Sequence, residues 1–269
     1  MKTAGPLLRG ILAATVGLSL AVPVTAAPAQ AASPADYQRY VTVFINAMQA
    51  GEDRRLTAQE INALVAEIID IVMGTKSDVV ARLDAEINHE IQAVTEASLT
   101  KVQMLRVPWL ADEAINGMHD AAYRAKNHLA TVAGNDAALD AVGRAMIALF
   151  NELNAAYFVV DYNEGTQLAR TQLPYFRQGL EYLVQELQPH CTPHYDPRTG
   201  NRAYDCEFNG QTVYAEYFPL SNSYTINGGP PIAGMFTNEY IEELAMKDTI
   251  LRVAEFTLAE LVRRGVQLP

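Results

Sequence analysis

The sequence predicts a mainly α-helical fold: a helical bundle of about seven helices with a small disulfide-closed antiparallel β-hairpin or meander inserted before the last helix. Apolar residues recur every three or four positions along most of the 269-residue chain, which is typical of amphipathic helices. The period changes to two between residues 190 and 235, where tyrosines and turn residues replace alanine and leucine. The only two cysteines lie in this segment. We therefore expect one helical domain over residues 32–269, with 190–235 as an inserted β module.

The N-terminus has the pattern of a secretory signal peptide. Lys2 and Arg9 come before an uncharged apolar stretch, residues 11–24, and small residues ending in Ala31 follow. Such segments are removed on export, so residues 1–31 are predicted to be cleaved and the rest to be secreted into the extracellular space. No later stretch reaches the ~20 apolar residues of a bilayer span, so no transmembrane anchor is expected after cleavage.

The chain is acidic, with 31 Asp and Glu residues against 20 Lys and Arg residues and a formal net charge of −11. Such a surface repels phosphate backbones, so no nucleic-acid partner is expected, while cations and basic groups are attracted. Two cysteines in an exported protein predict one disulfide bond, Cys191–Cys206.

Capping and stop signals mark the first three helices. The first carries an apolar stripe that begins at Tyr37 and stops at Gly51. Thr57 and Glu60 form a capping box, which begins the second helix, and Gly74 is expected to end it. A third, unusually long helix is then expected from Ser77 or Asp78 to Pro108.

Four further helices follow from the apolar period. We expect the fourth over about residues 110–132, with a stop at Gly134, and the fifth over 139–160, where a regular apolar seam requires a helical neighbour. The sixth is expected to follow Pro174, and the seventh to run from Thr237 to Gly265. Together they predict a bundle.

The strand register of the β module follows from its turns. Asn209-Gly210 is typical of a two-residue type I′ turn, and centring the hairpin there places Cys206 opposite Val213. The turn at residues 196–201 makes a second hairpin, in which Cys191 lies directly opposite Cys206. Facing cysteines support the disulfide by geometry as well as by compartment.

One candidate catalytic pair is His119 with Asp120 on the fourth helix. A helical His-Asp pair followed three residues later by Tyr123 resembles the active-site helix of secreted phospholipases A2. The resemblance covers residues 118–124 and implies a His that deprotonates water and an Asp that holds calcium. The chain lacks that family's half-cystines around the pair and its Gly-rich calcium loop. The alternative is that His119 flanks an apolar stripe and Asp120 is solvated.

Two histidines and two carboxylates are candidate metal ligands. The hairpin register puts His190 opposite Glu207 and His194 near Asp205, all on the polar face of the sheet. Imidazole and carboxylate groups are usual ligands of zinc and other divalent cations, so a divalent cation is a possible cofactor. The alternative is a pair of ordinary cross-strand contacts between exposed side chains.

A tyrosine-rich surface is the third candidate site. Four tyrosines of the β module either form a binding surface or pack the module onto the bundle: Tyr204, Tyr214, Tyr217 and Tyr224. We expect an extracellular binding or interaction protein with an unknown protein or small-molecule partner, recognised by this module. A secreted, calcium-dependent lipid hydrolase using His119 and Asp120 is the alternative.

A membrane-active helical protein is a further alternative. Long amphipathic helices with a hairpin inserted before the last helix resemble the layout of helical pore-forming toxins. Asp205, Glu207 and Glu216 on one face of the hairpin count against membrane insertion.

Overall fold

The computed structural model describes residues 32–53, 56–87, 89–160 and 162–264, so the predicted signal peptide lies outside the described residues. Its helices are α1 (Pro34–Asp53), α2 (Ala58–Glu86), α3 (His89–Lys101), α4 (Pro108–His128), α5 (Asp136–Val160), α6 (Tyr162–Glu186), α7 (Asn238–Met246) and α8 (Ile250–Arg263). Its strands are β1 (His190–Tyr195), β2 (Arg202–Phe208), β3 (Gln211–Phe218), β4 (Ser223–Ile226) and β5 (Ile232–Ala233). The predicted mainly α fold with its β module is confirmed.

Helix α5 forms the centre of the bundle. Every residue from Ala138 to Phe158 is buried, and the helix contacts α1, α2, α3, α4, α6 and α8. The predicted apolar seam accounts for packing against one neighbouring helix, whereas in the structure α5 is surrounded by other helices on all sides. Its polar residues therefore lie in the core.

Among the described helices, none is both long and apolar enough to cross a membrane.

A buried charge network crosses this core. Arg144 of α5 donates from Nε to Asp140 Oδ2 at 2.8 Å, and its Nη1 lies 3.5 Å from Asp78 Oδ2 of α2. The same guanidinium donates to the carbonyl oxygens of Asp248 at 2.6 Å and Ala32 at 3.3 Å. We call Arg144, Asp140 and Asp78 the Arg144 network. It joins the beginning of the described chain to α2, α5 and the segment before α8.

Several predicted helix ends are wrong. Helix α2 continues through Gly74. A glycine lowers the stability of a helix, but the packing of α2 on α5 outweighs this loss. The long third helix is interrupted at Ile87, which has extended backbone angles. Helix α6 contains Pro174 in its interior and begins before it. The last helix is two helices, because Asp140 Oδ1 accepts the Ile250 N–H at 2.6 Å and caps α8 from outside.

The β module is a five-stranded antiparallel meander in the order β1-β2-β3-β4-β5. The predicted register is confirmed: Cys206 pairs with Val213, and Cys191 pairs with Cys206, to which it is disulfide-bonded. On β2 the buried residues are Tyr204, Cys206 and Phe208, as the alternation of a strand requires. Helix α7 contacts β2 and β3 and covers part of this face.

Candidate functional site: a tyrosine-lined cleft on the β module

A row of aromatic residues crosses one end of the sheet. Side chains of directly opposed residues in antiparallel strands lie on the same face, so the register aligns one residue from each strand. We call this set the tyrosine row: Tyr195, Arg202, Tyr217, Tyr224 and Ile232. It lies on the face that carries Tyr204 and Cys206. Neighbouring strands are about 4.8 Å apart, so Arg202 has a tyrosine on each side.

A cleft of about 570 Å³ lies between the tyrosine row and the chain that leads into α7. We call it the β cleft. Its lining includes Tyr195, Arg202, Tyr204, Tyr217, Met235 and Phe236. Tyr204 and Phe236 are buried, whereas Tyr195 is 64% exposed and Met235 is 57% exposed. A volume in the range of roughly 300 to 1,000 Å³ with mostly apolar and aromatic walls is typical of ligand sites.

Hydrogen bonds and ring contacts position the walls of the β cleft. The Tyr204 hydroxyl donates to Glu242 Oε1 of α7 at 2.7 Å, and burial together with this carboxylate raises the pKa of Tyr204 to about 12. The Tyr217 hydroxyl donates to Asn222 Oδ1 at 3.1 Å. The ring of Tyr224 meets Phe236 edge-on at 5.9 Å. The sheet, the β3–β4 turn and α7 therefore hold the cleft open before any ligand arrives.

Arg202 supplies the positive charge of the β cleft. It is exposed, and within the described part of the chain it makes no ion pair or side-chain hydrogen bond. A guanidinium offers five donors in a planar fork, and one that is unpaired beside tyrosines is available to a ligand.

The edge strand β1 does not offer a continuous hydrogen-bonding edge. Cys191 and Cys206 have Cα atoms 4.1 Å apart, the spacing of a non-hydrogen-bonded pair, so the backbone groups of Cys191, Pro193 and Tyr195 point away from β2. Pro193 has no N–H and interrupts this outer row of donors. Addition of a partner strand at this edge is therefore disfavoured.

The structure divides the four predicted tyrosines between the two faces of the sheet. Tyr204 and Tyr217 line the β cleft, and Tyr224 is buried in the tyrosine row. Tyr214 pairs with Asp205 on the opposite face and is 38% exposed. Sequence reasoning missed Tyr195 and Arg202, although the register already placed both in one row with Tyr217. Met235 and Phe236 had no comparable signal, because they come from a loop.

The predicted metal ligands are not assembled into one site. His190 is paired with Glu207, but His194 is paired with Ala203 and Asp205 with Thr192. The Nε2 atom of His190 is 4.0 Å from Asp136 Oδ2 of α5. Within residues 32–264 as described, no group of three or more His, Cys, Asp or Glu side chains could hold a metal ion. Binding of a divalent cation stays a prediction.

His119 and Asp120 make separate contacts on α4. The imidazole of His119 stacks on Tyr123 with ring centroids 4.3 Å apart. Asp120 Oδ2 accepts a hydrogen bond from Arg124 Nε at 2.8 Å, and Arg124 also donates to Glu90 Oε1 at 3.1 Å. A guanidinium paired to Asp120 opposes a calcium ion at the same carboxylate. The hydrolase interpretation stays a prediction.

Comparisons with models of protein families, with curated proteins and with solved structures find no match for this chain. The function is therefore argued from the site.

Proposed function

We propose that this chain is a secreted protein-binding protein that recognises its partner through the β cleft. The observation that supports the proposal is a concave, tyrosine-lined cleft with an unpaired arginine on a sheet that is braced by a disulfide. Export is predicted from residues 1–31, and the Cys191–Cys206 bond suits the oxidising environment that an exported protein enters.

The residue types at the cleft favour a protein partner. Tyr, Met and Arg are enriched at protein–protein interfaces, and Tyr and Arg dominate the few residues that carry most of the binding energy. The rim residues Tyr195 and Met235 provide exposed apolar surface, and the floor is already packed. Because little has to be ordered on binding, most of the contact energy is available for affinity.

The experiment is a selection of random dodecapeptides displayed on phage against the folded protein. We expect enriched peptides whose affinity falls about tenfold or more in Tyr195→Ser, since loss of a hot-spot tyrosine costs at least about 1.4 kcal/mol. Tyr214→Ser is the matched control, because Tyr214 is an exposed tyrosine on the other face of the same sheet. Its affinity should be unchanged.

Peptides that bind both variants as tightly as the original protein would contradict the proposal. Failure to enrich any peptide over a control selection on the Tyr195→Ser, Met235→Ser double variant would do the same.

A further inference from the structure

We infer that the partner segment carries a carboxylate beside an apolar side chain, and that Arg202 binds this carboxylate while the apolar side chain enters the β cleft. This rests on the proposed function and adds the chemical class of the partner: an acidic peptide segment of a protein.

The first observation is the isolation of Arg202 in a chain with an excess of carboxylates. Two other exposed arginines are neutralised within the fold, Arg39 by Glu67 at 3.0 Å and Arg177 by Glu181 at 2.6 Å. Arg106 and Arg198 are exposed as well, but neither lines the β cleft. Arg202 instead stands in the tyrosine row between Tyr195 and Tyr217, and neither neighbour is a carboxylate. A partner's carboxylate can therefore form two parallel hydrogen bonds with the guanidinium.

The second observation is the position of the other charged groups around the cleft. The Glu242 carboxylate lies deeper in the cleft than Arg202, where it accepts a hydrogen bond from the Tyr204 hydroxyl. It repels a second carboxylate placed deep in the cleft. Helix α7 begins at Asn238, which lines the cleft, and its N-terminal partial positive charge is opposed by Glu239 in the first turn. We therefore expect the partner's acidic group at Arg202, in the tyrosine row, and the partner's apolar side chain beside Met235.

The net charge of −11 does not prevent this. At physiological ionic strength the screening length is about 8 Å, so distant carboxylates are largely screened while a guanidinium in contact is not. The apolar walls also exclude part of the surrounding water. This lowers the local dielectric constant and strengthens the attraction between opposite charges.

The test repeats the dodecapeptide selection with Arg202→Gln. We expect peptides selected on the original protein to carry Asp or Glu within two residues of an aromatic residue, Leu or Met. Peptides selected on Arg202→Gln should keep the apolar residue and lose the acidic one. Circular dichroism and thermal melting of the variant establish that it is folded.

A double-mutant cycle on one synthetic peptide gives the decisive number. Replacing its acidic residue by the amide should weaken binding to the original protein about tenfold and binding to Arg202→Gln less than twofold, because the pair has already been broken. Arg202→Lys should retain part of the preference for the acid. Raising the salt concentration from 50 to 500 mM should weaken binding only where Arg202 is present.

The outcomes separate the two proposals. Cleft-dependent peptides without acidic residues, or an amide replacement with equal effects on both proteins, would overturn the role of Arg202 and leave the binding function standing. An absence of cleft-dependent peptides would overturn both.

Discussion

Glu152 is a carboxyl group in the interior of the bundle. Its Oε2 accepts a hydrogen bond from the Ser98 hydroxyl at 2.8 Å, while its Oε1 has no hydrogen-bond partner among the described residues. Burial raises the pKa of Glu152 to about 8, although Ser98 and Lys101 act in the opposite direction. The group therefore holds a proton in the folded state at neutral pH and releases it on unfolding.

The stability of the protein should consequently fall as the pH rises. Protonated Glu152 contributes fully below its unfolded pKa, near 4.5, and the contribution is lost as the pH rises through the folded value of about 8. Between these values the free energy of unfolding should decrease by up to about 1.4 kcal/mol per pH unit. Urea denaturation at pH 5.5 and 7.5 measures this.

Glu152→Gln is the control for this prediction. The amide has the same shape and does not titrate, so the decrease between pH 5.5 and 7.5 should be smaller by about 2 to 3 kcal/mol than in the original protein. If both proteins lost the same free energy over this interval, the interior carboxyl would not be the cause.

At the scale of elements, two glycines inside helices should respond oppositely to the same substitution. Gly74 of α2 has no atom within 4 Å of the position that a Cβ would take. Gly74→Ala should therefore stabilise the protein by about 0.5 to 1 kcal/mol through helix propensity. At Gly143 of α5 an added Cβ would lie 2.9 Å from Leu183 Cδ2.

Gly143→Ala should destabilise by about 1 to 3 kcal/mol through overpacking. The midpoints of urea unfolding for the two variants measure the difference. Equal shifts in the same direction would show that the packing of α5 on α6 and α8 is not as close as described.

The disulfide bond gives a second prediction at the scale of elements. It closes a loop with a sequence separation of 15 between β1 and β2. Cys191→Ala with Cys206→Ala should lower the free energy of unfolding of the β module by about 3 kcal/mol, mainly because the unfolded chain gains freedom. Hydrogen exchange should accelerate at the amides of β1 and β2 and remain slow in α5. Unchanged exchange in β1 would contradict the prediction.

How much of these elements the sequence predicts depends on how local their causes are. The capping box of Thr57 with Glu60 and the hairpin at Asn209-Gly210 are formed by neighbours, and both were predictable. The break before Ile250 is not, because its capping carboxylate, Asp140, is 110 residues away in the chain. The β cleft is intermediate: the register predicts the tyrosine row, but the loop carrying Met235 is placed by tertiary packing.

At the scale of the whole molecule, the Arg144 network connects distant parts of the chain. Burial disfavours the charge on Arg144, but Asp140 and Asp78 are among the groups that outweigh it and hold the pKa of the guanidinium above its ordinary value. Arg144→Met should destabilise by about 3 to 5 kcal/mol, because Asp140 and Asp78 lose their buried partner and keep only the part-exposed Arg82.

The exposed Arg124 provides the comparison. It pairs with Asp120 and Glu90 at the surface, and Arg124→Met should change the free energy of unfolding far less than Arg144→Met does, because exposed ion pairs are screened by solvent. Chemical denaturation of the two variants side by side measures the contrast. Similar losses in both would mean that the buried network adds nothing to stability beyond a surface pair.

The central position of α5 also has a consequence for the time at which the protein can fold. The helix is made in the middle of the chain, but α6 and α8, which cover part of it, are made afterwards. A nascent chain that ends before Ile250 leaves apolar surface of α5 without its cover, and such surface promotes aggregation. Completion of the core must therefore wait until residues 250–263 have emerged from the ribosome.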